Sequence, residues 1–311
     1  MDNCKDTIMK TKSILSLLVM LFALGTTTFS CKKDKTTTSS NPENPTQNEI
    51  TGYINGLFSV NDSVQVYFSQ GNLQYKASTN TWRFAENQYD IIGDGNANIA
   101  SDYDDWIDLF GWGTSGYNHG AVCYQPWSTS IDSDDYHAYG NENSNLYDQT
   151  GQADWGYNAI SNGGGTINSW RTLRYQEWAY VFNTRNTSSG IRFAPAQVNE
   201  VNGMIVLPDN WDPATYSLDG VNSYESSYTT NAITAESWSV MENAGAVFMP
   251  AAGIRDVTHV TAIEYTGAYW SSSQADGQEA VFVRFNDGGF DPSNVSTRCL
   301  GFSVRLVHQA Q

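Results

Sequence analysis

Side chains able to do chemistry are few in this chain and stand apart. Its four histidines, His119, His137, His259 and His308, fall at no spacing that would let them share a metal with one another or with a cysteine. The densest oxygen-bearing run is Asp94-Gly95-Asn96-Ala97-Asn98 followed by Asp102 and Asp105. It fills positions 1, 3, 5, 9 and 12 of a calcium-loop pattern. Position 6 is Ile99 where that loop needs Gly, and position 12 is Asp105 rather than Glu, so calcium is not required by the pattern. Nucleophile signals also fall short. Gly113-Thr114-Ser115-Gly116 lacks one residue of a Gly-x-Ser-x-Gly elbow, and Gly163-Gly164-Gly165 is followed by no Lys that would hold a phosphate. A carboxylate pair for glycoside hydrolysis is defined in space rather than in sequence. The expectation is a protein that is not an enzyme and has no cofactor and no metal.

Composition narrows the partners. The 311 residues carry 16 Lys+Arg against 33 Asp+Glu, a net charge of −17. Six of the basic residues and three of the acids lie within residues 1–35, which leaves ten against 30 and sharpens the acidity of the remainder. No basic face is available for a phosphate backbone, so nucleic acid is excluded as a partner. Aromatic residues reach 13% and charged ones only 16%, enough ring area for a sizeable core and too little charge for a disordered chain.

The elements that must position these residues are short. Strand-like alternation runs through Val64–Phe68 and Leu73–Tyr75, with Gln70-Gly71-Asn72 as a turn between them. Further strands are expected at Trp82–Phe84, Met204–Leu207, Ala246–Met249, Ala280–Phe285 and Phe302–Val307. Two segments look helical. In Tyr175–Asn183 the residues Trp178, Val181 and Phe182 share one face, and in Ala235–Asn243 Thr234 caps the start while Gly245 ends the helix. Loops rich in Asn, Asp, Ser, Tyr and Gly fill residues 86–168, where Trp106, Trp112, Trp127 and Trp155 are expected mainly to pin them to the core. Their palette also suits a contact surface. Two helices beside many short antiparallel strands make an α+β domain over residues 51–308.

Residues 1–30 read as a signal peptide. Lys10 and Lys12 precede the apolar run Ile14–Leu24, which is too short to span a bilayer. Ser30-Cys31-Lys32-Lys33-Asp34 follows, and a lone Cys here resembles the lipobox of bacterial lipoproteins. Thr28-Phe29-Ser30 is a loose version of that motif, of the kind seen in Bacteroidetes, and the charges after the Cys resemble their surface-export signals. The resemblance implies lipidation at Cys31, attachment to the outer membrane by the lipid anchor alone, and exposure at the cell surface. Residues 31–50 then form a flexible tether. With Cys4 in the leader and Cys31 at the anchor, Cys123 and Cys299 remain. Two states are open for them: one disulfide closing a very long loop, or two unpaired buried thiols.

Five landmarks occur in order: Trp170-Arg171-Thr172-Leu173-Arg174-Tyr175-Gln176-Glu177-Trp178, Leu207-Pro208-Asp209-Asn210-Trp211, Met249-Pro250-Ala251-Ala252-Gly253-Ile254-Arg255, Tyr269-Trp270-Ser271-Ser272-Ser273 and Gly301-Phe302-Ser303-Val304-Arg305-Leu306-Val307. Together they resemble the C-type-lectin-fold group that holds formylglycine-generating-enzyme-like domains, the Fibrobacter major paralogous domain and the variable proteins of diversity-generating retroelements. Arg174 departs from the pattern, standing where that group has a capping Thr or Ser, and no Pro precedes it. The catalytic cysteine pair of the formylglycine-generating enzymes and the calcium motifs of sugar-binding lectins are absent, so neither activity carries over.

In the variable proteins, the stretch between the last two landmarks is the diversified ligand-binding face. Adenine mutagenesis of AAC or AAT codons excludes Gln, Glu, Lys, Met and Trp. Ser273, Ala275, Asp276, Asn286, Asp287, Phe290, Val295, Thr297, Cys299, Leu300 and Phe302 fit that set and form the ligand-binding face the resemblance implies. Ala280, Phe282 and Phe285 should point inward and their neighbours outward. The partner implied is a protein or glycan at the cell surface. Two alternatives are a structural or adhesive fibre subunit, which would show an exposed strand edge, and a carbohydrate-processing enzyme, which would show two carboxylates in an aromatic cleft.

Overall fold

The computed structural model describes residues 51–310. The segments expected to be a signal peptide and a tether, with the expected lipidation site Cys31, lie outside the described residues. The chain runs through β1 (Phe58–Ser59), β2 (Gln65–Phe68), β3 (Leu73–Lys76), β4 (Thr81–Phe84) and β5 (Trp106–Ile107). After a long irregular stretch, β6 (Arg171–Thr172) leads into α1 (Tyr175–Ala179), which continues as a π-helical turn over Tyr180–Thr184. Next come β7 (Phe193–Val198), β8 (Val201–Val206), β9 (Ala232–Ile233) and α2 (Ala235–Asn243). The order is completed by β10 (Val247–Pro250), β11 (Ile254–Asp256), β12 (His259–Thr261), β13 (Thr266–Gln274), β14 (Glu279–Asn286), β15 (Gly289–Thr297) and β16 (Leu306–Gln309). Among the described residues there are two α-helices beside many short strands in several open sheets, an α+β arrangement.

Local chemistry accounts for both helices. Thr234 Oγ1 accepts the Ser237 N–H at 3.3 Å to cap α2, Trp238 and Met241 point inward, and Gly245 leaves the helix at φ 92°. At the start of α1 the arginine cannot accept a backbone N–H, and Glu177 takes over the capping. Its Oε2 accepts the Arg174 N–H at 2.8 Å, and Arg171 clamps the same carboxylate through two bonds of 2.7 Å.

The strands near the two ends of the described chain share one sheet, ordered β1-β2-β16-β6. The turn at Gln70-Gly71-Asn72 therefore does not close a hairpin. It carries the chain from the β2 sheet into a separate one, ordered β4-β3-β5. The strand expected over Phe302–Val307 begins only at Leu306. Phe302 and Ser303 instead pair with Phe110 and Tyr269, since this segment threads between a loop and β13. The β7–β8 hairpin turns through Asn199 and Glu200, both at positive φ, as a tight two-residue turn demands.

Three buried clusters result. The first gathers Phe58, Phe68, Trp178, Phe182, Tyr269, Val283 and Phe285. The second holds Tyr75, Trp82, Phe110, Trp112, Trp155, Trp270, Phe282 and Phe302. A third packs Trp238 and Met241 of α2 on Ile205 and Phe248. The long loops are pinned through indole N–H groups. Trp112 donates to Ser271 O at 2.9 Å, Trp155 to Thr114 O at 3.1 Å, and Trp270 to Phe110 O at 2.7 Å. Trp127 stacks on Tyr75, and Trp106 lies beneath the Arg83 guanidinium.

Candidate functional site

The sheet β13-β14-β15 carries the interval expected to bind. It lies between two cores, not over one. Tyr269, Val283 and Phe285 enter the first cluster, while Ala268, Trp270, Ala280 and Phe282 enter the second. The expected outward alternation along β14 is thereby corrected: Val281 and Val283 are buried, and within Ala280–Phe285 only Arg284 is exposed. Irregular register between Trp270 and Gln274, and again between Phe282 and Arg284, lets the strands feed both sides.

The eleven predicted contact residues do not form one patch. Ser273 is buried, its hydroxyl accepting the Tyr175 N–H at 3.2 Å. Phe302 is buried against Trp270 and Phe282, at ring separations of 4.3 and 4.6 Å. Both side chains are spent within the fold, Ser273 on a hydrogen bond and Phe302 on packing. Leu300 packs on the second cluster, and Phe290 is stacked among Phe182, Phe193 and Tyr224. The remaining residues divide between two ends of the sheet. Asn286 and the exposed Asp287 lie at the β14–β15 turn. Ala275, Asp276, Thr297 and Cys299 lie at the β13–β14 turn, with Thr297 opposite Glu279. Eight strand residues separate the two turns, roughly 25 Å at the usual rise. Val295, 46% exposed, stands between them opposite Val281.

At the β13–β14 end a second element joins. Gln278 Nε2 donates to Asp134 Oδ1 at 3.2 Å, and His137 Nε2 meets Gly277 O at 2.7 Å. Arg298 is the centre of the junction. Its Nη2 donates to Glu142 O at 2.8 Å and to Asp276 O, its Nε donates to Glu279 O, and its guanidinium covers the Trp112 ring at 4.8 Å. Burial pushes the Arg298 pKa down to about 10, so it remains a cation at neutral pH. The loop that supplies Asp134 and Glu142 also presents Val122 and Ile131, which are 73% and 76% exposed. The outcome is a composite surface: the polar turn at Asp276–Gln278, the loop residues Asp134 and Glu142 bonded to it or to Arg298, and Thr297 on the edge strand. Sequence reasoning missed Arg298, Asp134, His137 and Glu142. The contacts that join the loop to the turn, Arg298 to Glu142, Gln278 to Asp134 and His137 to Gly277, each span more than 100 positions, which no local pattern reveals.

The two cysteines of this region are free, Cys123 buried and Cys299 half-buried. The Ser133 hydroxyl lies 3.7 Å from the Cys299 sulfur. Of the two states open from sequence, the structure holds the unpaired thiols. The oxygen run at Asp94–Asp105 is not assembled as a cation site. Asn96 is buried and turned inward, where its side chain accepts from the Asp108 and Leu109 N–H groups and donates to Asp108 Oδ1. Asp105 Oδ1 accepts the neighbouring Trp106 N–H. Among the described residues no group of three His, Cys, Asp or Glu is gathered for a metal.

No family model, curated protein or solved structure matches this chain. Among the described residues no helix is long and apolar enough to cross a membrane.

Proposed function

We propose that the chain is a lipoprotein of the outer membrane, anchored at Cys31, whose C-type-lectin-like domain binds a protein or glycan at the cell surface without catalysis. The observation that carries this reading is the composite surface at the β13–β14 end, where exposed variable-type residues sit on a sheet clamped between two cores. Such a scaffold tolerates exchange at the exposed Ala275, Val295 and Thr297, whereas Asp276 Oδ1 holds the turn by accepting the Gln278 and Glu279 N–H groups. The pairing of β2 with β16, the two helices and the long loops between them support the lectin-like placement.

Of the alternatives, the fibre subunit finds only qualified support. β15 is an outer strand, but Pro292 and the irregular register interrupt its edge, a device that blunts strand addition. For the carbohydrate-processing enzyme, Asp154 and Glu177 line one cleft, yet both carboxylates are saturated by donors.

Deep sequencing of codons 268–307 from many cells of the source population tests the reading. Substitutions concentrated at the exposed Ala275, Asp287, Val295 and Thr297 and absent from Ser273 and Phe302, opposite adenines of an invariant template, are the expected result. An invariant segment with no template overturns diversification and leaves a fixed-ligand binder. Labelled palmitate incorporation, lost in Cys31→Ala, checks the anchor.

A further inference from the structure

A cleft that shares none of the residues of the composite surface lies where α1, the loop after β1 and Tyr147 meet. Two lobes of about 350 and 340 Å³ have Asn61, Tyr147, Arg174 and Glu177 in common. Its acids are already engaged within the fold. Glu177 is held by both terminal nitrogens of Arg171, and Asp154 accepts from Thr172 N, Thr172 Oγ1 and Gly156 N. Arg174 differs. It is exposed, its guanidinium lies over the Tyr147 ring at 4.2 Å, and among the described residues no carboxylate pairs with it. The stacking fixes the planar fork while leaving its N–H edge free. Apart from these engaged charges, the polar groups lining the cleft are neutral. Asn61 Oδ1 is occupied by the Ser63 and Val64 N–H groups, which leaves its amide NH2 as a donor, and Gln176 and Gln309 are exposed nearby. The backbone N–H groups of Arg174 and Tyr175 are satisfied by Glu177 and Ser273, so the site consists of side chains and not of a helix end.

We propose that this cleft binds a sugar residue bearing one carboxylate, which pairs with Arg174 while Asn61, Gln176 and Gln309 meet its hydroxyls. One free cation set among neutral amides matches one negative charge set among hydroxyls. An acidic peptide repeats its charge along the chain and is repelled by a protein of net charge −17. Tyr147 is a positioning residue, holding the guanidinium for a bidentate pair.

The test is a heteronuclear NMR titration of the folded protein with four probes: free glucuronic acid, a xylose-based trisaccharide carrying one glucuronic acid, the methyl ester of that trisaccharide, and tri-glutamate. The acidic trisaccharide should shift Arg174 and Asn61 resonances at millimolar concentration. The methyl ester should bind at least about tenfold more weakly, the loss expected when a charge-assisted bond is removed. Arg174→Gln should weaken the acid by the same factor with no change in melting temperature, since the side chain is exposed. Equal shifts from free glucuronic acid assign the site to the sugar acid itself, and shifts only from the trisaccharide assign it to a glycan-borne residue. Equal binding of acid and ester, an unaffected Arg174→Gln, stronger binding of tri-glutamate, or no shift with either acid would each overturn the proposal.

Discussion

Gly267 and Phe285 face each other across β13 and β14, and the phenyl ring of Phe285 fills the space where a Cβ on Gly267 would stand. The glycine gives the sheet a flat seat for an aromatic ring that belongs to the first core. Gly267→Ala should cost about 1–3 kcal/mol, the usual penalty for overpacking. Trimming the ring in a Gly267→Ala/Phe285→Leu double variant should recover part of that loss. Urea unfolding of both single variants and the pair gives the coupling energy, and strictly additive effects would mean the ring is not what the glycine makes room for.

The buried Arg185 meets Asp209 at 2.9 Å, and the other Asp209 oxygen collects Ser59 N, Ser59 Oγ and Gln65 Nε2. One carboxylate thus ties β1, β2 and the end of the π turn to the Leu207–Trp211 segment. Asp209→Ala leaves a desolvated guanidinium without a counter-charge and should destabilise by about 3–5 kcal/mol. Replacing both partners by apolar residues should cost less than Asp209→Ala alone. Chemical denaturation of the single and double variants distinguishes the two outcomes.

Asp108 is fully buried, and desolvation pushes its carboxyl up to about 6 from 3.8. The folded state therefore binds this proton more tightly than the unfolded chain. Stability from this group is intact below the unfolded value and falls as pH rises from about 4 to 6, by roughly 3 kcal/mol in total. Asp108→Asn should remove that component. Unfolding free energies of both proteins at pH 4.5 and 7.5 should differ by less in the variant, whatever constant cost the lost Ile92 N–H bond adds.

Arg298 joins three carbonyls of two separate segments, so its loss should be felt locally. Arg298→Gln should raise amide hydrogen exchange in residues 134–142 and 275–279 by about tenfold, a modest local change. The β13–β14 core pairs should keep their protection. A uniform rise across the domain would instead mean that the residue supports the whole fold.

Local signals in the sequence carried the helices well. Thr234, Trp238, Met241 and Gly245 gave both ends and the buried face of α2. They failed wherever burial came from two sides. The run Ala280–Phe285 reads as alternation around one core, yet an antiparallel strand between two cores is apolar on both faces, and only topology reveals that. What the oxygen run at Asp94–Asp105 does instead was hidden for a related reason: Asn96 satisfies backbone groups from within, which residue type alone does not express. Of the expected contact residues, Ala275, Asp276, Val295 and Thr297 were legible as surface, whereas Ser273 and Phe302 had small or apolar side chains that fit a paratope and a core equally well.

The pairing of β16 with β2 places Val307 beside Phe68, 239 positions earlier. The sheet that holds both cannot close until nearly the whole domain has been made. Until its last strand emerges, β2 has only the two-residue β1 as a partner. A contact of such long range is formed late and slowly. The arrangement keeps the two halves of the domain loosely joined until its final clasp is fastened.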